Sequence, residues 1–133
     1  MFKPLVAAAT LACVFMPAPL AAQAVAVQSG VYQERSENGT RTIAPITRLS
    51  AGDKVVTILT WHAPRGGSYT VVSAVPRHLA VESTSHDGLE VSTDGGRSWR
   101  RLADADAVPP GTTHLRWQMR GGEGRLSYRS IVR

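Results

Sequence analysis

Four histidines, His62, His78, His86 and His114, are the side chains of this sequence best suited to proton transfer or metal ligation near neutral pH. Their spacing supports neither role. They are scattered singly, with no His-x-His or His-Glu-x-x-His arrangement, and Cys13 is the only cysteine, so the paired ligands a zinc site needs are missing. Asp104 and Asp106 point the same way if the chain is extended, but two carboxylates fall short of the about 6–8 oxygens that Ca²⁺ gathers. No Gly-x-Ser-x-Gly elbow and no phosphate loop occurs. The expectation is a protein that is not an enzyme and that carries no cofactor and no metal.

Arginine offers a different chemistry, the recognition of anions. The formal net charge is +5, and the excess lies in the last third, where Arg97, Arg100, Arg101, Arg116, Arg120, Arg125, Arg129 and Arg133 face only Asp104, Asp106 and Glu123. From Thr113 to Met119 the chain alternates, with Leu115, Trp117 and Met119 on one face and His114, Arg116, Gln118 and Arg120 on the other. After Gly121-Gly122-Glu123-Gly124, Leu126, Tyr128, Ser130 and Val132 alternate with Arg125 and Arg129. If these two strands pair as a hairpin, Arg116, Arg120, Arg125 and Arg129 share one outer face and form a contact for an anionic partner. The partners to expect are envelope polysaccharide, anionic lipid or a surface protein, with no nucleic acid. Solubility alone is the competing explanation of such a face.

The elements that position these residues centre on Ser92-Thr93-Asp94-Gly95-Gly96-Arg97-Ser98-Trp99, a turn-forming run between Leu89-Glu90-Val91 and Arg100-Arg101-Leu102. Asp94-Gly95-Gly96 supplies residues that accept positive φ, so the flanks read as a tight hairpin with Trp99 as its core anchor. The octet resembles the Asp-box hairpin of sialidases and other bacterial β-proteins through Ser92, Asp94, Gly96 and Trp99. In such hairpins the Ser and Asp hold the turn together, so the resemblance implies structure and not catalysis.

Ahead of this, Met1-Phe2-Lys3, the apolar run Leu5 to Met16, Pro17, Pro19 and Ala22-Gln23-Ala24 have the order of a secretory signal peptide. Cleavage is expected after Ala24, with the bond after Ala22 as second choice. Residues 1–24 are thus read as signal peptide and residues 25–133 as one domain, exported to the periplasm or cell surface and with no transmembrane span in the mature chain. Cys13 leaves with the signal, so the core must hold the fold without a disulfide.

Turn signals recur about every ten residues and no stretch of residues 25–133 keeps a 3.6-residue period, which predicts an all-β sandwich or barrel. A first strand, Val25 to Glu34, is expected to break near Ser29-Gly30, and Asn38-Gly39 marks a turn. Pro45 suggests an edge or a strand entry. Lys54 to His62 is the most β-prone run and reads as a central strand. Trp99 and Trp117 are expected in the core.

Leu49-Ser50-Ala51-Gly52-Asp53-Lys54-Val55-Val56 with Leu59-Thr60-Trp61, then Val75-Pro76, the Asp-box octet, Thr113-His114-Leu115-Arg116-Trp117 and Gly124-Arg125-Leu126-Ser127-Tyr128, resembles in order the conserved-repeat domain of unknown function of bacterial surface and envelope proteins. That resemblance implies an immunoglobulin-like antiparallel β-sandwich outside the cytoplasm, in structural or adhesive roles and without catalytic residues to carry over. The expected function is therefore a non-enzymatic exported envelope module. The alternative is a carbohydrate-binding module related to Asp-box proteins, and the two separate on whether Trp61, Trp99 and Trp117 are buried or form an exposed stacking platform.

Overall fold

In the run Lys54-Val55-Val56-Thr57-Ile58-Leu59-Thr60-Trp61, β-branched side chains crowd a helix but fit a pleated surface. In the computed structural model, which describes residues 24–103, 106–122 and 124–133, they form strand β3 (Lys54–Trp61), the middle strand of a five-stranded sheet. Around it stand β1 (Val27–Glu37), β2 (Thr40–Pro45), β5 (Leu79–Thr84) and β9 (Arg125–Val132), in the order β2-β1-β3-β9-β5. A second sheet holds β4 (Ser68–Ala74), β6 (Leu89–Ser92), β7 (Arg100–Arg101) and β8 (His114–Arg120), in the order β4-β8-β6-β7. Every strand pair is antiparallel, and no helix occurs among the described residues. The chain forms the two-layer antiparallel β-sandwich that the sequence predicts.

The register explains what is inside. Val55, Thr57 and Leu59 of β3 stand beside Ser130, Tyr128 and Leu126 of β9, all buried, while Val71 and Ser73 of β4 stand beside Trp117 and Leu115 of β8. Two aromatic pairs join the layers. The Trp117 and Tyr128 rings stack with centroids 6.4 Å apart, and Trp61 meets Tyr69 edge-on at 6.3 Å. The Trp61 indole N–H donates to the Tyr69 hydroxyl at 3.2 Å, and that hydroxyl donates to the Gly121 carbonyl at 2.8 Å. A buried aromatic removes about 150–250 Å² from water, worth about 4–6 kcal/mol at most, so these four rings dominate the core.

Asn38 and Gly39 adopt φ of 51° and 78°, and Glu37 faces Thr40, so β1 and β2 meet through a two-residue hairpin turn as the Asn-Gly pair predicts. Pro45 ends β2 on the sheet edge, where its missing N–H is harmless. The expected break at Ser29-Gly30 does not occur, and β1 also runs on through Ser36-Glu37. The Tyr32 ring lies over Gly30, within 3.0 Å of where a Cβ would stand, and fills the space a side chain would occupy.

The largest departure is at Gly121 to Gly124. The strands on either side do not pair as a hairpin: β8 belongs to the four-stranded sheet and β9 to the five-stranded one. The turn carries the chain across the sandwich, and Trp61 N–H donates to the Gly124 carbonyl at 2.8 Å. A Cβ on Gly124 would lie 1.9 Å from the Trp61 carbonyl oxygen, so this approach is open only to glycine. The signal-peptide reading, apart from Ala24, lies outside the described residues, as do Asp104 and Glu123.

Candidate functional site

Ser92 ends β6 with its side chain buried, and its hydroxyl organises the turn that follows. It donates to Asp94 Oδ1 at 2.7 Å and accepts the Gly96 N–H at 2.8 Å. Asp94 Oδ1 also accepts the backbone N–H groups of Arg97 (3.1 Å) and Ser98 (2.9 Å), while Oδ2 takes the Ser98 hydroxyl at 2.6 Å. Gly95 and Gly96 stand at φ of 80° and 90°, a region that side chains rarely enter. With the Ser98 hydroxyl the main cause, then the Ser98 N–H and the Ser92 hydroxyl, the Asp94 carboxyl is held well below the usual carboxylate range. The Asp94 carboxylate is therefore spent on the turn, as the Asp-box resemblance implies, and is a poor proton donor.

Thr113 ties this hairpin to β8. Its hydroxyl donates to the Ser92 carbonyl at 3.2 Å and accepts the Gly95 N–H at 3.0 Å, and its own N–H donates to the Ser92 carbonyl at 2.8 Å. No local sequence signal marks Thr113 for this task, because its partners lie a loop away.

Trp99 is not the core anchor that the sequence predicts. Val91 pairs with Arg100 and Glu90 with Arg101, so Trp99 shares the outward parity of Arg101, while Leu102 takes the inward position and is buried. The Trp99 ring is half-buried on the outer face of the four-stranded sheet, with the Arg116 guanidinium 4.2 Å from its centroid. Arg116 Nε donates to Glu90 Oε2 at 2.6 Å, and the Arg116 Nη2 closes on the same oxygen. Trp61 and Trp117 are buried, so the three tryptophans do not form a common platform.

The four arginines are divided between the two outer faces. Arg116 and Arg120 project from the four-stranded sheet, Arg125 and Arg129 from the five-stranded one, because their strands belong to different layers. Two of them are also neutralised. Arg129 binds Glu34 bidentately at 2.9 and 2.8 Å, with Arg41 3.7 Å from the same carboxylate, and Arg116 is held by Glu90. Arg120 and Arg125 are exposed and flank the crossing turn from opposite sides. Among the described residues, Arg100, Arg101 and Arg120 of the four-stranded sheet and Arg125 of the five-stranded one have no carboxylate partner.

Beside Trp99 lies a cleft of about 260 Å³ lined by Val91, Thr93, Ser98, Trp99, Arg100 and Pro109. Neither Arg100 nor Pro109 stands out in the sequence as a site residue, since the cleft forms only when the loop before β8 folds back onto the hairpin. The histidines stay apart, and among the described residues no three His, Cys, Asp or Glu side chains gather as a metal site would require. No helix of the described residues is long and apolar enough to cross a membrane. No protein family model, no curated protein and no solved structure matches this chain.

Proposed function

We propose that this protein is a non-enzymatic, exported module of a bacterial envelope that holds an acidic envelope polysaccharide on its four-stranded sheet. The observation that carries the reading is the set Arg100, Arg101 and Arg120, exposed and without carboxylate partners among the described residues, on the sheet that also exposes part of Trp99. Unpaired guanidinium groups on one sheet raise the local potential and attract a polyanion over about 10 Å at 0.1 M salt. The five-stranded sheet also exposes Arg125 without a carboxylate partner among the described residues, but it is the weaker candidate because its Arg129 is bound to Glu34 and its Lys54 to Glu82. The signal-like order of Met1 to Ala24 and the ordered resemblance to envelope repeat domains support the compartment and the non-enzymatic role. A carbohydrate-binding module related to Asp-box proteins is the second reading, favoured by the surface position of Trp99.

Co-sedimentation of the purified protein with envelope fractions tests this at low and high salt. The wild type is expected to sediment at low salt and to be released at high salt, and the Arg100→Gln, Arg101→Gln, Arg120→Gln variant to stay in solution under both conditions. Equal recovery of the two proteins in both salts would reduce the arginines to solubilising residues. Fractions stripped of polysaccharide should lose the protein, whereas retention on purified anionic vesicles would replace polysaccharide by lipid. N-terminal sequencing of protein from the producing cells should begin at Val25, and an intact Met1 in the mature pool would remove the export premise.

A further inference from the structure

We infer that the cleft beside Trp99 is a subsite for one carboxylated sugar unit, a uronic acid residue of an acidic glycan chain. The inference rests on the polysaccharide reading above and adds to it a place, a stoichiometry and a selectivity. Trp99 and Pro109 provide apolar walls on which the C–H face of a pyranose ring can lie. Thr93, Ser98 and Arg100 line the same cleft; the Ser98 hydroxyl, which donates to Asp94, keeps only its acceptor capacity, and Arg100 has no carboxylate partner among the described residues. The cleft's about 260 Å³ is below the about 300–1,000 Å³ typical of pockets for drug-sized ligands, which suits a single ring better than an oligosaccharide.

The surrounding charges are mixed. Asp94 stays ionised behind Ser98, whose hydroxyl it accepts at 2.6 Å, but its oxygens are taken up by Ser92, Arg97 and Ser98 and it does not itself line the cleft. The Glu90 carboxylate is neutralised by Arg116, which also covers Trp99. A guanidinium beside an apolar wall can take a carboxylate through paired N–H donors while the ring packs alongside, an arrangement that a phosphate chain lacking a sugar face does not complete.

Tryptophan fluorescence isolates this site, because Trp61 and Trp117 are buried and Trp99 is the indole open to acrylamide, a neutral quencher. Three probes are titrated into the full-length mature protein: trigalacturonate, its methyl ester with the same rings but no charge, and inorganic polyphosphate. Trigalacturonate is expected to suppress acrylamide quenching at one molecule per protein, the methyl ester to bind about tenfold more weakly, and polyphosphate to leave quenching unchanged. Arg100→Gln should abolish the preference of trigalacturonate over its ester, whereas Arg125→Gln, an equal loss of charge on the opposite sheet, should preserve it. Protection by polyphosphate equal to that by trigalacturonate, or the same loss from Arg125→Gln, would overturn the subsite in favour of general charge attraction. Calorimetry of Trp99→Ala, with its melting temperature checked for folding, covers the case in which fluorescence is silent: undiminished trigalacturonate affinity there would overturn the subsite as well. Retained sedimentation on envelope fractions together with undiminished trigalacturonate affinity of Trp99→Ala would remove the subsite and leave the polysaccharide reading standing, while loss of salt-sensitive sedimentation would remove that reading itself.

Discussion

Trp117 and Trp99 occupy opposite faces of one sheet, and Arg116 belongs to both surroundings: it is the chain neighbour of Trp117, and its guanidinium covers Trp99. Trp117 has no exposed surface and stacks on Tyr128 from the other layer. Trp99 keeps part of its ring in solvent and borders a cleft. The same side chain therefore serves cohesion at one position and recognition at the other, and a one-residue change of parity decides which. The exposed cations of the two sheets differ in a parallel way. Glu34, Arg129, Lys54 and Glu82 pair among themselves on the five-stranded sheet and leave Arg125, whereas on the other sheet Arg101 and Arg120 of the outer face, and Arg100 at the edge with the opposite parity, have no carboxylate partner among the described residues.

The sharpest way to break the comparison is to truncate each tryptophan. Trp117→Ala should cost about 3–5 kcal/mol, a large part of the stability of a small domain, and lower the urea midpoint accordingly. Trp99→Ala should cost about 1 kcal/mol, from a partly buried ring and one cation–π contact, and should leave the circular dichroism spectrum unchanged. Equal losses would show Trp99 to be a core residue after all. Among the arginines, Arg129→Ala should also cost about 1 kcal/mol by releasing Glu34, while Arg120→Gln should stay within about 0.5 kcal/mol of wild type, both read from thermal unfolding.

The turn is tested by pH. Asp94 has a carboxyl held below its unfolded-state value, so its contribution is fully present above about pH 4, the ordinary range for an aspartate. It is lost as the pH falls from there towards the lower folded value. Wild type should accordingly be more stable than Asp94→Asn at neutral pH, with the gap in urea midpoint closing below about pH 4. A gap that does not change with pH would mean that the ionised carboxylate adds nothing beyond its shape.

Local signals were legible where they settle local geometry. Asn38-Gly39 forms its turn, Pro45 sits on an edge, β3 is central, and the alternation in β8 and β9 names the buried set Leu115, Trp117, Leu126, Tyr128, Ser130 and Val132. The hydrogen bonds of Ser92 and Asp94 likewise follow from the spacing of the octet. What periodicity cannot supply is the sheet to which a strand belongs. Gly121 to Gly124 has the composition of a hairpin turn, yet the strands it joins find better partners elsewhere, and with them the four arginines part company. Trp99 was misread for a smaller reason: in the two-residue strand β7, parity is fixed by Leu102, which must be inside, and not by the size of the tryptophan.

β9 comes last among the described strands and yet lies between β3 and β5, pairing with both along most of its length. Until it arrives, β3 has a free side and β5 has no partner in the sheet at all. During synthesis from the N-terminus the five-stranded layer thus remains incomplete until β9 has been made, and its closing step joins segments distant in sequence, the kind of contact that slows folding. A layer built in this order stays open until β9 has been made, so the topology defers its closure to the arrival of that one strand.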